Sequence, residues 1–222
     1  MNRTVWLCFL LLLGPGGFAV AKLGTLSPAY FDKRLGPAEQ IIMVSAESPT
    51  KAAVALYEKK NQRWEKTQEF SATLGRQGFA TPGQKIEGDQ KAPSGIFAID
   101  SVFGYAPNAP TKMSYRQCTR EDKFIDDPDS PQYNSWVHGP TTAKTFENMR
   151  LETPLYEYGF ILRYNMDPVV KGKGSAIFFH VWLDPQTPTS GCVALSRENM
   201  MSLIGWIDPR KNPRVIMNPE AL

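Results

Sequence analysis

Two side chains near the C-terminal end of this 222-residue chain have types and spacing suited to nucleophilic chemistry. His180 closes the apolar, aromatic run Ser175-Ala176-Ile177-Phe178-Phe179, and Cys192 follows Thr189-Ser190-Gly191 after a loop carrying Pro185 and Pro188. An imidazole beside a thiol takes the thiol proton, and the resulting thiolate attacks a carbonyl carbon. Gly191 has no Cβ, which permits an unusual backbone conformation and a close approach of substrate. The N–H groups of Gly191 and Cys192 are candidates to face the oxyanion formed on attack. The competing account is structural: a cysteine is often a small core hydrophobe, and a histidine on an apolar strand often simply packs there. His138, before Gly139-Pro140, is the other histidine and the rival base, but nothing around it suits catalysis.

The elements that must bring the pair together read as strand, loop, strand. Doubling back is the simplest geometry, because a few loop residues suffice to join neighbouring strands. Val181 has no side-chain acceptor, so a backbone carbonyl is expected to hold the second ring nitrogen of His180. Further strands are expected at 40–44, 53–57, 70–75, 96–99 and 158–165, with the charged run 58–63 as a hairpin turn and residues 83–97 as a hairpin leading into a core strand. Short strands punctuated by turns argue for a mainly β fold, a sandwich or barrel-like sheet. Ser196 is a good N-cap for a helix carrying Met200, Leu203, Ile204 and Ile207 on one face, ended by Pro209 and Pro213 and packed beneath the cysteine turn. Residues 214–217 read as a closing strand. Between 101 and 150 the composition is loop-like, with Pro107, Pro110, Pro128, Pro131 and Pro140. Its aromatics Tyr115, Phe124, Tyr133 and Trp136 suit a lid or groove wall.

The N-terminus reads as a leader. A short basic start precedes the apolar run Val5–Leu13, and Ala19-x-Ala21 is a signal-peptidase pattern, so residues 1–21 form a signal peptide cleaved after Ala21. The apolar run is too short and too broken by Gly and Pro for a stable membrane anchor. Cys8 lies inside it, which disfavours a lipoprotein. A periplasmic or secreted protein is expected, with an arm at 22–38 and one domain over 39–222. Removing Arg3 takes the formal charge from +3 to +2, and no basic block points to nucleic acid. The acidic run 126–130 lacks EF-hand spacing, and no metal or cofactor is implied. Two cysteines remain after cleavage. In an oxidising compartment they would most simply form a disulfide, which would silence Cys192. Cys118, in a polar setting between Arg116 and Arg120, is otherwise a reactive bystander or a redox lock.

The block Thr189-Ser190-Gly191-Cys192-Val193, one loop after His180, resembles the active-site signature of the YkuD-type L,D-transpeptidases. Two positions depart from the common pattern: Ser190 stands where histidine is usual, and Ala194 where many members carry arginine or asparagine. The stretches Lys85-Ile86-Glu87-Gly88-Asp89…Pro93-Ser94-Gly95-Ile96-Phe97 and Asp127–Asn134 are similar to a subfamily of it. The resemblance runs from about Gln40 to Pro219. It implies a mainly β YkuD-like domain that works on peptidoglycan stem peptides through a cysteine thioester. Cys192 would be the nucleophile, His180 the base and then acid, and Gly191 an oxyanion donor. Thr189, Ser190, Lys85, Asp89 and Tyr133 are the candidate substrate contacts. Transfer to an amine gives a cross-link, while transfer to water gives an L,D-carboxypeptidase or endopeptidase. A catalytically degenerate wall-binding protein is a further alternative. A papain-like protease fits poorly, because there the cysteine precedes the histidine. The resemblance also implies inactivation by penems or carbapenems.

Overall fold

The computed structural model describes residues 27–222; the expected leader and cleavage site lie outside them. Among the described residues twelve strands follow one another. They are β1 (Gln40–Ser48), β2 (Lys51–Lys60), β3 (Arg63–Thr73), β4 (Gly95–Gly104), β5 (Tyr115–Gln117), β6 (Asp122–Ile125), β7 (Trp136–His138), β8 (Phe146–Asn148), β9 (Tyr158–Leu162), β10 (Phe178–Val181), β11 (Val193–Leu195) and β12 (Arg214–Met217). Two α-helices join them, α1 (Asp32–Leu35) and α2 (Arg197–Trp206). Nine strands form one sheet in the order β12-β1-β2-β3-β11-β10-β9-β4-β5, and a second pairing of β12 with β4 closes it into a barrel-like wall. The fold is mainly β, as the alternation and turns imply. No described helix is long and apolar enough to cross a membrane.

Strand β1 shows why its sequence is an unbroken apolar run. Ile42 and Val44 point into the main core, while Ile41 and Met43 pack on the other face against Phe31 and Leu35 of the N-terminal segment. A strand covered on both faces has no polar side to alternate with. The main core gathers Val54, Leu56, Phe160, Phe179, Val193, Leu195 and Val215, to which α2 adds Met200, Leu203 and Ile204. Ser196 caps that helix as expected, its hydroxyl accepting the Asn199 N–H at 3.2 Å. The helix packs against β9 and β10.

Three expectations about the elements are corrected. The charges of 58–63 lie mostly on the strands: β2 and β3 meet across the two-residue turn Asn61-Gln62, whose φ values of 48° and 64° are those of the tight turns that match strand twist. The 83–94 stretch is an irregular loop, not a hairpin. Residues 101–150 are not simply loop. They hold β5 and a separate small sheet, β7-β6-β8, whose three- and four-residue strands are too short to show a period in sequence.

Candidate active site

The central correction concerns β10 and β11. They are neighbours, but they run parallel, with His180 opposite Ala194 and Phe179 opposite Val193. The chain crosses over through residues 182–192 instead of doubling back. Two fastenings hold that crossover. Asp184 accepts the N–H groups of Gln186 and Thr187 at 2.7 and 2.9 Å. Thr189 joins the segment after β3, its N–H donating to Leu74 O and its carbonyl accepting from Arg76 N. The chain therefore enters β11 at a fixed height.

Strand alternation then places the two reactive groups. Phe179 and Val181 point into the main core, so Phe178 and His180 face the opposite side. By the same parity Val193 and Leu195 are core residues, and Cys192 shares the face of His180. That face opens on a groove of about 490 Å³ lined by Cys192, His180, Tyr156, Glu147, Lys85 and Ser190 among others.

Both groups are nearly dry, with His180 6% and Cys192 9% exposed. The Nδ1 of His180 lies 2.8 Å from the Val181 carbonyl oxygen. A carbonyl only accepts, so Nδ1 carries the proton and Nε2 keeps its lone pair. This is the backbone acceptor expected from the sequence. Burial pushes the imidazole down to about 4, against the opposing pull of that bond. It also pushes the Cys192 thiol up to about 12, although the Phe178 N–H reaching Sγ at 3.3 Å works the other way. At neutral pH the pair is thiol plus neutral imidazole. Sγ donates to Ala176 O at 3.4 Å, and no hydrogen bond joins it to the His180 ring among the described residues. Ala176 adopts φ 51°, a left-handed conformation costly for a residue with a Cβ, and its N–H donates to Asn134 Oδ1 at 3.2 Å.

Gly191 is needed for its backbone. Its φ is 145°, and a Cβ there would sit 2.9 Å from the Lys91 carbonyl oxygen, so the close approach is made by the chain itself. Its N–H is not free for an oxyanion, because it donates to Thr189 Oγ1 at 3.1 Å. That corrects the Gly191 expectation. The Cys192 N–H has no partner among the described residues and is the donor left for the role. The Thr189 hydroxyl donates in turn to Cys192 O at 2.7 Å, so Thr189 braces the turn around the thiol. Ser190 is exposed at the groove.

The other expected contacts divide. Lys85 lines the groove but is 5% exposed and paired with Asp89 at 2.7 Å. Asp89 also accepts the N–H groups of Ile86 and Lys91 and does not line the groove, so it is a brace for the 85–91 loop. Tyr133 is likewise buried away from the groove. Its hydroxyl bonds Glu87 and accepts the Gly174 N–H. His138 lies outside the groove in ion-pair range of Glu121 and Asp122. Cys118 and Cys192 are both free. Cys118 is 2% exposed among Phe103 and Phe124, and burial pushes its thiol up to about 12. It is packed as a core residue and is not bridged to Cys192. No group of three or more His, Cys, Asp and Glu among the described residues is arranged to hold a metal.

Two groove residues carry no sequence motif. Tyr156 packs its ring edge-on against the His180 ring, centroids 5.4 Å apart. Its hydroxyl donates to Glu147 Oε2 at 3.4 Å. The small sheet thus supplies a groove wall, where the aromatics of the 101–150 stretch mostly serve as core.

Residues 39–217 match the YkuD family model, described as the L,D-transpeptidase catalytic domain. Among solved structures, Bd1075 of Bdellovibrio bacteriovorus aligns at 17% identity with a TM-score of 0.44 over 81% of this chain. The alignment spans 47% of the Bd1075 chain, so this chain covers about half of that protein's length. No curated protein matches.

Proposed function

The chain belongs to the YkuD family of L,D-transpeptidase catalytic domains, and from that premise we propose that it acts on peptidoglycan stem peptides through a thioester on Cys192. One observation carries the mechanism. A buried thiol and a neutral imidazole with a bare Nε2 share one face of adjacent strands at the floor of a groove. His180 takes the thiol proton as sulfur attacks the carbonyl of the L-to-D peptide bond, and then gives it to the departing amine. The Cys192 N–H donates to the oxyanion. An amine from a second stem resolves the thioester and gives a cross-link. Water as acceptor would make the same site an L,D-carboxypeptidase or endopeptidase. The leader expected over residues 1–21 supports a site of action outside the cytoplasm.

Purified muropeptides incubated with the protein and with Cys192→Ala test the activity. Cross-linked dimers that need Cys192 establish transpeptidation, and tripeptides without dimers establish hydrolysis by the same thioester. No change attributable to Cys192 under reducing conditions would refute the proposal.

A further inference from the structure

Glu147 reaches the groove from β8, and its nearest neighbours tie it to the reacting pair. It accepts from Tyr156, whose ring abuts His180. Asp126, just past β6, lines the same wall, and its buried Oδ1 has no hydrogen-bond partner among the described residues. Lys85 is the one cation lining the groove among the described residues, and Asp89 already claims its ammonium. Glu87 is engaged by Ser175 and Tyr133. The wall beside the thiol therefore carries negative charge with no cation to match it.

The acyl-enzyme faces two acceptors that differ in protons. Water gives up one on attacking the thioester, and His180 can take it. An amine arrives as an ammonium and must lose two before the amide is complete. Resting on the acyl-enzyme reading, we propose that Glu147 is the acceptor-selecting residue, holding the incoming ammonium and taking its first proton. The freed amine attacks the thioester carbon, the C–N bond forms and the C–S bond breaks. The second proton passes through His180 to the Cys192 sulfur, and Glu147 later returns its proton to solvent. Burial, and next the charge of Asp126, raise the carboxyl above the ordinary range, which makes it a better proton acceptor than a surface glutamate.

The test is partition. The protein is given a tetrapeptide ending in an L-to-D bond, with deuterated D-alanine amide as acceptor, and mass spectrometry measures amide product against tripeptide. In Glu147→Gln the amide-to-tripeptide ratio at pH 7 is expected to fall on the order of 100-fold. Glu147→Asp, which keeps a carboxylate, is expected to stay above it. As pH passes the acceptor's amine pKa, near ~8 for an α-amino group, the acceptor arrives already deprotonated and the gap between wild type and Glu147→Gln should close. Asp126, Glu87 and Tyr156 face Glu147, and Lys85, His180 and Cys192 line the same groove. Removing the Glu147 charge also eases the upward push on Tyr156 and Cys192. Both products form from one acyl-enzyme, however, so a change in the rate of acylation leaves their ratio unaltered. A ratio unchanged in Glu147→Gln, or a gap constant with pH, overturns this inference alone. Absence of any Cys192-dependent product from the wild type overturns the acyl-enzyme reading and this inference together.

Discussion

Cys192 and His180 sit on the same face of two adjacent parallel strands, two positions out of register: His180 pairs with Ala194, and Cys192 precedes that residue by two. The thiol thus lies level with Phe178, whose N–H it accepts, while the imidazole stands further along the neighbouring strand. The sulfur is held by backbone groups, and the imidazole by the Val181 carbonyl.

Burial sets the protonation of the free enzyme. With the thiol near 12 against an ordinary 9, its thiolate fraction at neutral pH is roughly 1000-fold lower than that of a free cysteine. Alkylation of Cys192 by iodoacetamide, followed by peptide mapping, is expected to be slow at pH 7 and to climb without a plateau past pH 10. Rapid labelling with a plateau below pH 8 would show a resting thiolate–imidazolium pair instead.

His180 also links stability to acid. Its folded value, near 4, lies below the ordinary 6.5, so between those limits the unfolded chain binds the extra proton. Stability is therefore intact above about pH 6.5 and declines as pH falls towards 4, by about 3 kcal/mol from this residue. Chemical denaturation at pH 7 and pH 4.5 should show a smaller drop for His180→Asn than for wild type. Equal drops would refute the burial of a neutral imidazole.

Thr189 is expected to act through the turn it braces. Thr189→Val leaves the Gly191 N–H and Cys192 O without their partner, a loss of about 1–3 kcal/mol. Turnover should fall at least about ten-fold as the Cys192 N–H loses its aim. Thr189→Ser keeps the hydroxyl and should retain most of both. A fully active Thr189→Val protein would show that the brace is unnecessary.

Cys118 gives a redox prediction. Because it is buried and unbridged, Cys118→Ala should show the same activity as wild type, and neither protein should change activity between mild oxidant and reductant. Thermal melts should show a modest loss, about 1 kcal/mol, from the smaller side chain. Wild-type activity that rises on reduction, with Cys118→Ala indifferent, would restore the lock.

Much of this was legible in the residues. The strand at 40–44, the Ser196 cap and the closing strand at 214–217 follow from pattern and local chemistry. The reactive pair could be picked out because His180 ends an apolar run and Cys192 follows a glycine. Its strand direction could not, because a crossover of 182–192 is short for a parallel link and local spacing favours a hairpin. The role of Gly191 was misassigned because the Thr189 hydroxyl takes its N–H, and the Lys91 O that makes the close approach to it comes from a distant loop. Tyr156 and Glu147 were invisible for the same reason: β8 and the turn before β9 carry no motif, and only the packing of the small sheet brings them to His180.

The most direct measurement is the intact mass of the protein after brief exposure to a tetrapeptide stem, with the modified residue mapped. The expected result is a mass increase equal to the tripeptide acyl group, located on Cys192, removed by hydroxylamine and missing in Cys192→Ala. His180→Ala should slow its appearance by at least about 100-fold. A stem peptide processed with no adduct on Cys192, or processed equally well by Cys192→Ala, would contradict the thioester mechanism.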